Sequence, residues 1–172
     1  SYTDTALIGV VLGAASVTLY AVPLQLVEYS RMMVNGLTTA LLPELAGLRA
    51  RGDFATLKAV FLRSARTCGA MSVFINVHLV TVGPAFLALW VGEAFTAEAP
   101  RILLFLGIAA TLAALSTQVL IPFYQSLDVL KVLVVIILAE AALNVVLSVW
   151  FATAIGVWGV ALASAVPALV IT

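Results

Sequence analysis

LGAASVTLYAVPLQLVEYSRMMVNGLTTALLPELAGLRARGD, residues 12–53, decides how this chain is read. The stretch is apolar for most of its length, yet Glu28 and Arg31 stand near its middle, and it ends in Pro43 and a basic segment. Charges in an apolar helix are costly unless they face a cavity, a partner or water. One helix is expected over 17–48. At 1.5 Å per residue it is on the order of 45 Å long, more than the roughly 30 Å hydrocarbon core of a bilayer. It must tilt, kink or project, and Pro23 offers a kink point.

The rest of the composition agrees with a membrane setting. Hydrophobic residues make up 64% of the chain and charged residues 9%, with a mean hydropathy of +1.22. Soluble domains carry roughly 25% charged residues, so a water-facing surface cannot be built here. The net charge of zero says nothing about nucleic acid; in a membrane setting no nucleic-acid partner is expected. Cys68 is the only cysteine and His78 the only histidine, which excludes an intramolecular disulfide and Cys- or His-rich metal clusters. No nucleotide loop and no nucleophile with a base is present. Neither an enzyme, a catalytic residue, a cofactor nor a metal site is expected.

Outward from the opening stretch, the chain alternates. Residues 1–12 read as the end of a helix, followed by a small-residue turn near Gly13. Arg49, Arg51, Lys58, Arg63 and Arg66 are five of the eight basic residues, so segment 49–66 is assigned to the cytoplasm. Phe54, Leu57, Phe61 and Leu62 against its cations make an amphipathic lead-in at the interface. Spanning helices are expected at 67–91, 101–126 and 129–153, with a further helix starting at 157–172. Trp90 and Trp150 fall where interfacial aromatic belts occur. The acidic loop 92–100 is assigned outside, the turn near Asp128 and Lys131 inside. The expected fold is an all-α integral membrane bundle of four antiparallel spans with a partial helix at each end. Ser1 is no initiator, and the last apolar run is about 16 residues, short of the roughly 20 that span. A piece of a larger transporter is therefore expected.

Four ordered motifs carry a resemblance: DTALIGVVLGAASVTLYAV at 4–22, LLPELAGLRARGD at 41–53, ALWVGEAFTAEAPRILLFL at 88–106 and GVWGVALASAVP at 156–167. In this order the chain resembles one lobe of the multidrug/oligosaccharidyl-lipid/polysaccharide exporter superfamily, its polysaccharide-exporter (flippase) branch above all. The resemblance implies two pseudo-equivalent lobes around a central cavity, alternating access, and a multi-pass protein of the bacterial inner membrane. It implies a lipid-linked glycan as substrate, with the bilayer and the remaining helices of the transporter as partners. Cation-coupled drug antiporters and lipid II flippases share that fold and are the alternatives. A non-transporting membrane scaffold is the alternative of another class.

Glu28 and Arg31 are neighbours on one helix surface. With Gln25, Asn35, Thr38 and Thr39 they fall within an arc of about 140°. Such a stripe points to a cavity or a helix interface. In the functional reading Arg31 meets the diphosphate or acidic sugars of the cargo in a cationic cavity and Glu28 holds it or exchanges protons; the plainer reading is an interhelical ion pair or a position nearer the interface. Asp4 is the candidate coupling-ion carboxylate, or else an interhelical hydrogen-bonding group. Glu140, Asn144 and Ser148 recur every four residues, and Thr111, Gln118 and Gln125 every seven. Both series are secondary cavity candidates, or polar groups bonding across packed helices. His78 and Cys68 read as structural residues. The prolines Pro23, Pro84, Pro122 and Pro167 read as hinges or as static kinks.

Overall fold

The computed structural model describes residues 2–92, 97–115, 117–127 and 130–171, and among them every element is a helix. In chain order these are α1 (Tyr2–Leu12), α2 (Ala14–Ala40), α3 (Leu42–Ala50), α4 (Phe54–Trp90), α5 (Ala99–Leu115), α6 (Thr117–Leu127), α7 (Leu130–Ile155) and α8 (Val157–Ile171). The all-helical expectation holds. Glu93 and Asp128, on which part of the loop assignment rested, lie outside the described residues.

The single helix expected over 17–48 is two. The chain bends at Leu41, and Pro43 sits in the first turn of α3. Proline lacks the N–H that a helix interior needs, but the first turn leaves that group unpaired in any case. Pro23, by contrast, lies inside α2, which continues through it. The basic loop expected at 49–66 shrinks to a turn at 51–53. There the Gly52 N–H donates to the Arg49 carbonyl at 2.9 Å and the Asp53 N–H to the Leu48 carbonyl at 3.1 Å. That pattern closes a helix when the residue after its last turn is left-handed, and Gly52 has φ +70°. Asp53 then caps α4 by accepting from the Thr56 N–H at 3.0 Å. The Thr56 hydroxyl and N–H hold the Asp53 carboxyl below its ordinary value, and Arg51 adds to this. With no proline before Pro84, the amphipathic lead-in and the span expected at 67–91 fuse into one helix of 37 residues that continues through Gly69.

Three helical segments of the described residues are long and apolar enough to cross a membrane: Phe54–Trp90, Ala99–Gln125 and Val134–Ile155. The 27 residues of α2 give it the length, on the order of 40 Å. It is not among the three because Gln25, Glu28, Arg31 and Asn35 dilute its apolar character. The four expected spans are thus three by length and composition, with α2 set apart as the polar long helix.

Neighbours in sequence pack antiparallel. Gly9 of α1 meets Val17 of α2, and in α4 against α5 Gly83 meets Leu103 while Val80 and Asn76 meet Gly107. Asn144 of α7 reaches Ser164 of α8. Two cores result. One gathers Ile8, Tyr20, Val27, Leu87, Leu103, Leu106 and Val160 from α1, α2, α4, α5 and α8. The other gathers Val34, Leu45, Leu57, Cys68, Val119 and Phe123 from α2, α3, α4 and α6. α2 runs through both. Its buried line is Tyr20, Pro23, Val27, Ser30, Val34 and Thr38, at helical spacing. Val135, Leu138, Val146 and Trp150 of α7 face outward unburied, which fits a lipid-facing surface.

Candidate functional site

A cavity of about 300 Å³ opens where α1, α2, α5, α7 and α8 converge. Its walls include Leu24, Leu106 and Val145; its polar groups are Asp4, Arg31, Glu140, Asn144 and Ser164. Four of the residues expected from the sequence therefore meet in one place: Asp4, Arg31, Glu140 and Asn144.

The inner end is built around Asp4, which is only 1% exposed. The hydroxyl of Ser148, 0% exposed, donates to Asp4 Oδ1 at 3.2 Å. The Tyr20 hydroxyl stands near Asp4 and Ser164, yet it makes no well-formed hydrogen bond. One step along, Asn144 Nδ2 donates to Ser164 Oγ at 3.4 Å. The Ser164 hydroxyl itself donates to the Val160 carbonyl at 3.4 Å. The outer end carries Glu140 and Arg31. Arg31 Nη1 donates to Glu28 Oε1 at 3.1 Å, while its Nε is buried without a hydrogen-bond partner. The four-residue repeat of Glu140, Asn144 and Ser148 thus forms a polar ladder on the inward face of α7. Each rung rises about 6 Å.

The charge balance departs from expectation. A cationic cavity was expected around Arg31, but Asp4 and Glu140 line it together with Arg31, and Glu28 already engages that guanidinium. Two carboxylates and one base line the cavity, and a third carboxylate, Glu28, engages that base from outside it. Excess carboxylate charge in an apolar bundle must be met by a cation, a proton or water.

Other expected residues lie elsewhere. Gln25 and Asn35 are exposed on α2 outside the cavity. Thr38 and Thr39 turn back to the Asn35 carbonyl at 3.1 and 2.8 Å. Their shared arc lies beside the buried line of α2, so only its edge, at Arg31, reaches the cavity. Gln118 is in α6 with Oε1 buried and unpartnered, and Gln125 is exposed. Thr111 accepts from Asn76 Nδ2 at 3.2 Å between α5 and α4. These three do not form a cavity wall together. His78 is exposed, with Nδ1 donating to the Phe74 carbonyl at 2.7 Å. Cys68 is buried. Tyr20 and Ser164 were not singled out from the sequence. The available signal was a hydroxyl on each of two otherwise apolar segments. No protein-family model, curated protein or solved structure matches the chain.

Proposed function

We propose that the chain is part of a cation-coupled membrane exporter that carries a lipid-linked saccharide across the bacterial inner membrane by alternating access. The observation that carries this reading is the meeting of Asp4, Arg31, Glu140, Asn144 and Ser164, from four helices, in one cavity within an apolar bundle. Ionisable groups inside a membrane protein are costly to place, and their convergence on a cavity argues for a path taken by polar cargo or ions. The two ends of the ladder divide the work. Asp4, backed by Ser148 and Tyr20, supplies oxygen ligands for a proton or a small monovalent cation. Glu140 and Asn144 offer acceptors and a donor to sugar hydroxyls, and the unpartnered Nε edge of Arg31 offers a donor to a diphosphate. The lipid tail stays in the bilayer beside the apolar face of α7.

The excess of carboxylates favours a second cargo, a cationic amphiphile, handled by the same coupling chemistry. Both are separated by one experiment on the whole transporter in proteoliposomes, with an imposed cation or proton gradient. Asp4→Asn is expected to abolish gradient-driven movement of either cargo. Arg31→Ala is expected to abolish transfer of a lipid-linked diphosphate saccharide, while Arg31→Lys keeps part of it. If Arg31→Ala leaves that transfer intact and Glu140→Gln abolishes efflux of a cationic dye, the drug antiporter is the right reading. Normal transport of both by all of these variants refutes a transport role for the cavity and leaves a membrane scaffold.

A further inference from the structure

A second pocket, of about 290 Å³, lies away from the transport cavity, between the end of α2, the start of α3 and the first half of α4. Leu37, Leu41 and Val60 form its apolar wall; Arg63, Glu44 and Thr67 are among its polar groups. Arg63 and Glu44 share the pocket without pairing. Among the described residues neither makes an ion pair with any group. Opposite charges that line one pocket yet stay apart complement a ligand with both signs, spaced by a few bonds.

Counting along α4 sets the pocket against the bilayer. Trp90 ends α4 at one side. Counting back, about 20 residues fill the roughly 30 Å hydrocarbon core, and the next several lie in the headgroup layer. Arg66 and Thr67 fall in that layer, and Arg63 lies one turn further out, where a long side chain reaches back toward it. The apolar wall faces the acyl region and the charges face the headgroups.

We propose that this pocket binds a zwitterionic aminophospholipid of the cytoplasmic leaflet. The phosphate sits on the Arg63 guanidinium, the primary ammonium on the Glu44 carboxylate, and the start of one acyl chain along Leu37, Leu41 and Val60. A phosphodiester accepts paired N–H donors from arginine, and a primary ammonium donates to a carboxylate. The quaternary ammonium of a choline lipid has no N–H to donate. A glycerol lipid has no positive charge for Glu44. The nearby Lys58 and Arg66 are exposed like Arg63 but do not line the pocket, and they make no ion pair among the described residues. They attract anionic lipids only diffusely. The proposal is independent of what the transport cavity carries.

Cys68 is the only cysteine and is buried, whereas Thr67 lines the pocket and is exposed, so Thr67→Cys in a Cys68→Ser background gives a thiol whose reactivity reports occupancy. The full chain is reconstituted in phosphatidylcholine vesicles, alone or with phosphatidylethanolamine or phosphatidylglycerol of matched acyl chains. Modification of the thiol introduced at residue 67 by a small methanethiosulfonate reagent is then timed. Native mass spectrometry of the same proteins counts retained lipid. The expected result is that phosphatidylethanolamine slows modification several-fold and is the lipid retained. Glu44→Gln and Arg63→Gln should each lose both effects, while Arg63→Lys keeps part of each and Lys58→Gln keeps them whole. Equal protection by phosphatidylcholine or phosphatidylglycerol, protection by soluble phosphoethanolamine, or loss of selectivity in Lys58→Gln as in Arg63→Gln would each overturn the proposal.

Discussion

The contact between Ser148 and Asp4 is the strongest test of the inner end of the cavity. Both side chains are buried, and the hydroxyl donates to the carboxylate at 3.2 Å. Two magnitudes compete. A hydrogen bond to a charged group contributes about 1.5–3 kcal/mol in proteins generally. Interhelical polar contacts in a membrane average about 0.6 kcal/mol, with a ceiling near 1.7, because helices separated in the bilayer find other partners. The length decides for the lower range, since strong hydroxyl–carboxylate bonds are about 2.5–2.7 Å. A double-mutant cycle with Asp4→Ala, Ser148→Ala and the pair should therefore give a coupling of about 0.6–1.7 kcal/mol. That is roughly a 3- to 20-fold effect on the unfolding equilibrium. The assay is reversible unfolding in mixed micelles followed by helix content. If the single effects add to within about 0.3 kcal/mol, Ser148 does not hold Asp4 and the inner end of the ladder is wrong.

Other consequences are as direct. Gly83→Ala would bring a methyl to 2.9 Å from Leu103 Cδ1, the movable end of a side chain, and the gain in helix propensity of about 1 kcal/mol offsets the shift it forces, so stability in the same assay should change by no more than about 1 kcal/mol; a larger loss would show that Leu103 is locked in place. Asp53→Ala should loosen the first turn of α4, read as faster amide exchange at residues 54–57, whereas Asp53→Asn keeps the cap. Because the folded carboxyl titrates below its ordinary value of 3.8, its stabilising contribution is present above that pH and is lost as the pH falls through the lower folded value. Thermal unfolding across that range, compared with Asp53→Asn, checks the sign. His78→Phe should leave transport unchanged in the proteoliposome assay, since the ring faces outward and bonds only its own helix.

Much of the architecture was legible because membrane helices announce themselves through composition and length, and because Gly52-Asp53 is a stop followed by a start. What misled was the reach of single signals. Five basic residues between 49 and 66 suggested a loop, yet cations are good helix formers; only the glycine at residue 52 interrupts the backbone. Two prolines of equal appearance behave differently. Pro43 opens a helix and Pro23 lies inside one, and the choice depends on what packs around them. The polar arc on α2 gave the angle between its members and said nothing about the direction of its neighbours. The buried line through Val27 and Val34 had to be seen before Gln25 and Asn35 could be set outside the cavity and Arg31 at its edge. The four-residue repeat on α7 was readable in sequence. Its meeting with Asp4, 144 positions away, was not, because it depends on how two helical hairpins close on each other.

The uninterrupted first thirty residues of α4 have a mechanical meaning. With its full 37 residues the helix is a rod of about 55 Å, longer than the hydrocarbon layer. It joins the basic turn at one end to Trp90 at the other. A rod of that length amplifies small rotations: about 5° of tilt about one end carries the other through about 5 Å. Any adjustment of the chain at the basic turn therefore reaches the Trp90 end as a displacement of one side-chain diameter, with no proline before Pro84 to absorb it.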